Sequence, residues 1–196
     1  MPQSFAPFGL RAVGAFGTHS NGVRFYPLPN GATCPQLGTG APVKLTAGVI
    51  VSTGAGTGPI LGVAAGFAWV SDSTKRPVLQ NWIPAGTSSA GWIDGENRPQ
   101  AYVVDNPEAI FMVQANASVS AGDLGLNFNV TATAADAVDP VYGVSRFALD
   151  AASRTSAITG AVKLVGIARI VDNAWSDPYP VVLVRMNSVI AQVSAA

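Results

Sequence analysis

The sequence predicts an all-β protein, a sandwich or partly open barrel of about ten short strands, preceded by an irregular, extended N-terminal arm. Three observations predict this fold. Short β-branched, apolar runs alternate with turns that contain Gly, Pro, Asn or Asp. The 196 residues include only two glutamates, so good helix formers are scarce. No segment carries a sustained apolar stripe with the 3.6-residue period of a helix. A chain of this length can form one domain, or one domain with an appendage.

Residues 1–40 are predicted to form the arm, and residues 41–196 the β domain. The first forty residues contain five prolines, which lack the backbone N–H that a central strand needs. Aromatic side chains recur in the same segment, whereas a disordered tail would be poor in them. They are Phe5, Phe8, Phe16, Phe25 and Tyr26. We therefore expect the arm to dock, either on its own domain or on a neighbouring molecule.

The strands of the β domain are predicted in chain order. Residues 41–51 alternate and are β-branched, with a turn at Gly48. In residues 124–133 the apolar side chains fall on one face and the Asn and Thr side chains on the other. The other predicted strands lie in residues 60–71, 78–83, 101–104, 109–115, 161–171 and 181–187. Residues 84–99 are predicted to be a polar loop and residues 150–159 a short helical turn.

Charged residues make up 11% of the chain, against roughly 25% in ordinary soluble domains. The net charge is zero, and neutrality promotes association. We therefore expect other subunits to cover much of the surface, with self-association into a symmetric oligomer. Zero net charge also argues against a nucleic acid partner. No apolar run approaches the ~20 residues that span a bilayer, and we expect neither a membrane partner nor a secretory signal.

The residues that could carry chemistry do not form a recognisable site. His19, the only histidine, lies in the arm, which is a poor platform for a base. Cys34 could act as a nucleophile only with His19 as its base. We therefore expect Cys34 to be a small buried thiol instead. Asp94 and Glu96 could act as paired carboxylates or hold calcium, but a solvated loop is the preferred interpretation. Residues 54–59 are Gly-rich but lack a phosphate-binding pattern. We predict no catalytic residue, no cofactor and no metal.

Isolated arginines lie near the predicted strand ends. Two of them, Arg146 and Arg185, are candidate interface residues together with the five aromatic side chains of the arm. Arginine suits this role because its planar guanidinium pairs bidentately with carboxylates.

An ordered series of short blocks runs through residues 40–190. The most specific are Asp105-Asn106-Pro107 before Phe111-Met112-Val113-Gln114, and the closing Val182-Leu183-Val184-Arg185-Met186-Asn187. The others are residues 40–43, 60–66, 122–127, 143–146 and 164–168. This order resembles that of the capsid cement or decoration proteins, small structural proteins of tailed bacteriophages.

The resemblance implies a β-rich virion protein on the outer capsid surface, with the major capsid protein as partner and no catalysis or cofactor. It implies self-association, for which we expect a trimer rather than a dimer. Two alternatives stay open. A tail- or vertex-associated protein would bind a host-surface glycan through Trp82 and Trp92 in the 80–99 segment. A β-barrel hydrolase, ranked third, would use His19 or the pair Asp94 and Glu96.

Overall fold

The computed structural model describes residues 4–15, 22–54, 60–93, 95, 97–132, 138–139 and 141–187. The prediction of an all-β fold is confirmed, with sixteen strands and two single-turn 3-10 helices in these residues. The strands are β1 (Arg11–Ala15), β2 (Val23–Pro27), β3 (Leu37–Gly38), β4 (Pro42–Thr46), β5 (Val49–Ser52), β6 (Gly62–Val70), β7 (Pro77–Gln80), β8 (Trp82–Ile83), β9 (Gln100–Val104), β10 (Ala109–Gln114), β11 (Asn127–Ala132), β12 (Val138–Asp139), β13 (Val144–Ser145), β14 (Phe147–Thr155), β15 (Val162–Ile167) and β16 (Val181–Met186). The expected ten was too low because six strands lie outside the predicted strand segments, three of them only two residues long. No helix of the described residues is long and apolar enough to cross a membrane.

Two large antiparallel sheets make up most of the structure. The first has the strand order β1-β10-β16-β15-β11-β14, and the second has the order β2-β9-β6-β4-β5, with β7 also paired to β6. Two small sheets, β3-β8 and β12-β13, complete the topology. In the part of the chain that the structure describes, neither large sheet closes into a barrel, although Ala115 after β10 bridges Leu149 of β14.

The hairpin formed by β4 and β5 confirms the turn predicted at Gly48. Thr46 pairs with Val49, so the loop has two residues, Ala47 and Gly48. Their φ angles are 49° and 79°, and left-handed backbone at both loop positions matches the twist of the adjoining strands. Strand β11 likewise confirms its predicted alternation, since Phe128 and Val130 are each 1% exposed.

The helical turn predicted for residues 150–159 is wrong, because β14 runs through Thr155. Leu149 of β14 pairs with Val130 of β11, and both side chains are buried. Burial of paired apolar side chains outweighs the weak helical preference of the following Asp-Ala-Ala-Ser stretch. A register shift in this ladder is bridged by Ser153, whose hydroxyl accepts from Asn129 N at 2.8 Å.

The irregular conformation predicted for the arm is wrong for β1 and β2. Strand β1 joins the edge of the first sheet beside β10, and β2 joins the edge of the second sheet beside β9. Proline does not prevent this, because Pro27 occupies the last position of an edge strand, where a missing N–H costs no ladder bond. The first forty residues therefore supply an edge strand to each large sheet.

One continuous hydrophobic core lies between the sheets and includes residues of both. Its largest fully buried side chains are Phe67, Phe111, Phe128 and Phe147. At 25 cal/mol per Å² of apolar surface, burial of each phenylalanine stabilises the fold by roughly 2–3 kcal/mol. Gly62 allows close packing here, since a Cβ atom at this position would lie 2.5 Å from Val103 Cγ1.

Candidate interaction surface

The N-terminal segment is held by one buried side chain, that of Gln114 at the end of β10. Its Nε2 donates to Ser4 O at 3.0 Å, and its Oε1 accepts from Ala6 N at 2.9 Å. Nε2 also lies 3.4 Å from Tyr179 O. Gln114 is 5% exposed, so its amide needs these backbone partners. Ser4–Ala6 is therefore docked on the protein's own domain.

Two candidate aromatic residues of the arm also have described ring contacts. The Phe5 ring lies 5.3 Å from the Tyr179 ring, measured between centroids. Phe8 lies under the Arg11 guanidinium, whose central carbon is 5.1 Å from the ring centroid. The third candidate, Phe16, lies outside the described residues. The described contacts of Phe5 and Phe8 are intramolecular, and their role at an interface stays a prediction.

The candidates Phe25 and Tyr26 lie on opposite faces of β2. Phe25 packs edge-on against Tyr102 of β9, with 4.7 Å between ring centroids, and remains 51% exposed. On the other face, the Tyr26 hydroxyl donates to Asp105 Oδ2 at 2.6 Å. Burial, with the nearby Asp105 carboxylate, raises the pKa of Tyr26. Arg24 forms an ion pair with the same carboxylate at 3.5 Å.

The candidate Arg146 stabilises an exposed turn. Its Nη2 donates to Asp139 Oδ2 at 3.0 Å, while Asp139 Oδ1 accepts from the backbone N–H of Val141 and of Tyr142. These bonds, with that of Arg146 first, lower the pKa of Asp139. They fix the turn between β12 and β13, where Val141 is 79% and Tyr142 73% exposed. We call Val141 and Tyr142 the apolar tip.

The candidate Arg185 is less distinctive. Its Nη1 lies 3.3 Å from Oε2 of Glu108, the residue before the neighbouring strand β10. Both side chains are substantially exposed, at 36% and 51%. Solvent-exposed pairs of this kind contribute at most about 1 kcal/mol. The structure therefore places Arg146 at an exposed apolar feature and Arg185 in an ordinary surface ion pair.

A cleft of about 360 Å³ lies where β1 and β10 approach β6. Apolar side chains such as Phe8, Val104 and Phe111 line it, with Arg11 and Asn81 among its few polar groups. Its described lining residues include no Asp, Glu, His or Cys, the side chains that most often act as acid, base or nucleophile. An apolar side chain would fit the cleft, which has no described acid–base pair.

Of the four side chains considered for chemistry, the structure describes only that of Cys34. His19, Asp94 and Glu96 lie outside the described residues, so the predictions about them stay predictions. The described residues contain no group of three or more His, Cys, Asp or Glu side chains suited to a metal ion. Cys34 is 3% exposed, and burial raises the pKa of its thiol to about 11. The structure thus confirms the expected burial of this cysteine.

The two tryptophans of the alternative glycan site differ in exposure. Trp92, in the loop before β9, is 71% exposed. Trp82, in β8, is half-buried. Its ring packs closely against Gly143, since a Cβ atom added to that glycine would lie 3.0 Å from Trp82 Cδ1. One of the two is therefore free to contact a ligand, while the other packs near the turn that carries the apolar tip.

Sequence reasoning missed the structural roles of two polar residues in the quoted blocks. Gln114 clamps the N-terminal segment, and the signal for it was a polar side chain at the end of an apolar strand. Asn187, which closes the last block, donates through Nδ2 to Asn127 Oδ1 at 2.7 Å and to Gly160 O at 3.0 Å. These contacts tie the chain after β16 to β11 and to the turn before β15.

Comparisons of this chain with protein family models, with curated proteins and with solved structures find no match.

Proposed function

We propose that this chain is a viral structural protein that binds the outer surface of a bacteriophage capsid. It stabilises the expanded head by bridging neighbouring major capsid subunits. The observation that carries the proposal is the apolar tip, a pair of highly exposed side chains on a fixed turn of a charge-poor protein. The resemblance of the sequence blocks to decoration proteins supplies the capsid as the assembly concerned.

The tip has the properties of an anchor for a protein partner. Tyrosine is enriched among the residues that dominate binding energy, because it has a large apolar ring and a polar hydroxyl. Asp139 and Arg146 hold the backbone of the turn before any partner arrives. Binding then costs little ordering entropy at this point.

Capsid stabilisation requires no chemistry from such a protein. A ligand that binds only the assembled state stabilises it by mass action. Contacts from one copy to several capsid subunits, repeated over the shell, add avidity to weak individual contacts. A chain without a described acid–base site suits this role.

The test is cosedimentation of purified protein with expanded heads that lack it. Tyr142→Ala should weaken binding about tenfold or more, as truncation of an aromatic anchor does. The matched control is Ile158→Ala, which removes an apolar side chain of similar exposure, 74%, from the turn before β15. Wild-type binding by Tyr142→Ala, with the protein folded, would remove the support that the tip gives to the proposal.

The alternative, a tail- or vertex-associated protein that binds a host-surface glycan, is favoured by the exposure of Trp92. An exposed indole ring can stack on a sugar, and the loop that carries it is fixed through Ser89 and Asn30. Trp92→Ala should then abolish adsorption to host cells while leaving head stability unchanged. Under the capsid proposal the same variant leaves adsorption unchanged.

A further inference from the structure

The ladder between β2 and β9 determines which backbone groups of β2 bond to β9 and which point away from it. Leu28 N donates to Pro99 O at 2.8 Å, and the register of this ladder pairs Pro27 with Gln100. Hydrogen-bonded and non-hydrogen-bonded pairs alternate in an antiparallel ladder. Tyr26 and Arg24 therefore bond to β9, while Val23, Phe25 and Pro27 direct their backbone groups away from it.

The side chains agree with this assignment. Side chains lie closer in a non-hydrogen-bonded pair, and the rings of Phe25 and Tyr102 are 4.7 Å apart. Pro27, which has no N–H, falls on the outward side, where no intrachain bond is lost. No backbone hydrogen bond joins β5 to β2, and Val23 and Phe25 remain 47% and 51% exposed. The Cα atoms of β5 come within 8 Å of those of β2, so β5 must move aside where a second copy pairs, because strands on either side of a third lie roughly 9.6 Å apart.

We propose that two copies of this chain pair antiparallel along β2, across a twofold axis at Phe25. In this register Phe25 meets Phe25 of the second copy, and each Val23 faces Pro27 of the other. Each Phe25 N–H donates to the opposite Phe25 carbonyl, and each Val23 N–H donates to the opposite Pro27 carbonyl. All outward N–H groups of the two strands are satisfied, although each strand contains a proline.

The side chains complement one another in the same register. On one face, the two Phe25 rings meet between the two Tyr102 rings, which gives an aromatic ladder across the joined sheets. On the other face, Arg24 lies opposite Tyr26 of the second copy. The hydroxyl of that tyrosine donates to its own Asp105, so the face that meets Arg24 also carries a carboxylate. A pairing centred on Arg24 would instead oppose two like charges.

This inference does not depend on the proposed capsid binding. The pairing is twofold, so it predicts a dimer where the resemblance suggests a trimer. Either oligomer is compatible with attachment to a capsid, and head binding is measured separately. Failure of the pairing therefore leaves the proposed function as it stands.

The test is disulfide trapping of the full chain with oxidised glutathione, followed by non-reducing electrophoresis. Phe25→Cys should give a covalent dimer, because residues of a hydrogen-bonded pair lie about 5.5 Å apart between Cα atoms, within disulfide range. Val23→Cys should not, because its two copies would be four residues out of register, about 13 Å apart. The wild-type chain is the background control, since Cys34 is buried.

Sedimentation of uncrosslinked protein provides the second measurement. Phe25→Lys places two like charges on the axis and should weaken dimerisation about tenfold or more. The control is Leu79→Lys, an equivalent change at a 69% exposed position of β7, which should dimerise like the wild type. Absence of the Phe25→Cys dimer, equal trapping at both cysteine positions, or an oligomer unaffected by Phe25→Lys would each overturn the proposal.

Discussion

Replacement of Gln114 by methionine tests whether the N-terminal segment belongs to the domain on which it is docked. Methionine has a similar length and volume, so the change removes the amide without opening a large cavity. It removes the bonds to Ser4 O and Ala6 N, at 3.0 and 2.9 Å, and the longer contact to Tyr179 O at 3.4 Å.

The expected loss of unfolding free energy is about 1–3 kcal/mol. An intramolecular hydrogen bond contributes roughly 0.5–1.5 kcal/mol net, and two of the three contacts are of good length. Ser4 and Ala6 are exposed, so water replaces the lost partner on their backbone groups.

Urea unfolding measures the effect, with Gln80→Met as the matched control because Gln80 is exposed on β7. The Gln114→Met midpoint should fall with an unchanged m-value. Limited proteolysis should also release the N-terminal segment faster in this variant. If Gln114→Met and Gln80→Met unfold within about 0.5 kcal/mol of each other, the clamp does not hold the segment and the reasoning is refuted.

Three further predictions concern packing, an ion pair and the thiol. Gly62→Ala should lower the unfolding free energy by about 1–3 kcal/mol, because its Cβ would overlap a valine side chain. Gly66→Ala, whose Cβ would meet nothing nearer than 3.6 Å, should be almost neutral in the same urea experiment. Arg146→Met should raise the pKa of Asp139 towards its ordinary value in an NMR titration. In the wild type the lowered pKa means that this pair stabilises the fold above the unfolded carboxyl's pKa, and that the contribution is lost as the pH falls through the folded value. Native Cys34 should resist iodoacetamide at pH values well below its pKa of about 11, and react fully once urea unfolds the chain.

The regular part of the fold followed from local patterns. The hairpin of β4 and β5 was predictable because Gly48 supplies a left-handed turn between two alternating strands. Strand β11 was predictable because burial on one side imposes a period of two on its sequence. In both cases the information lies within about ten consecutive residues.

The parts that sequence reasoning missed depend on distant partners. The sequence of β1, Arg-Ala-Val-Gly-Ala, has no strong strand preference, and its conformation is determined by pairing with β10 about a hundred residues later. Pro27 was interpreted as a strand breaker, whereas its position on an outward-facing edge makes its missing N–H harmless. Strand β14 was misassigned because its Asp-Ala-Ala-Ser stretch has a weak local preference for helix. Local propensity does not take into account that this strand pairs with β11.

The sequence indicated which kinds of residue form the candidate surface better than it indicated where that surface lies. Arg146 was chosen because it lies near a strand end, and the structure places it beside the apolar tip. Val141 and Tyr142 were not singled out, since their exposure depends on a turn whose geometry Asp139 determines. The aromatic residues of the arm were singled out for docking, and four of the five have described contacts with their own chain.

The most direct test of the proposed function is the copy number of this chain in purified virus particles, relative to the major capsid subunit. Quantitative mass spectrometry of tryptic peptides gives this ratio. A protein that coats and clamps the shell should be present within a few-fold of one copy per capsid subunit. A handful of copies per particle, or complete absence from particles, would contradict the account.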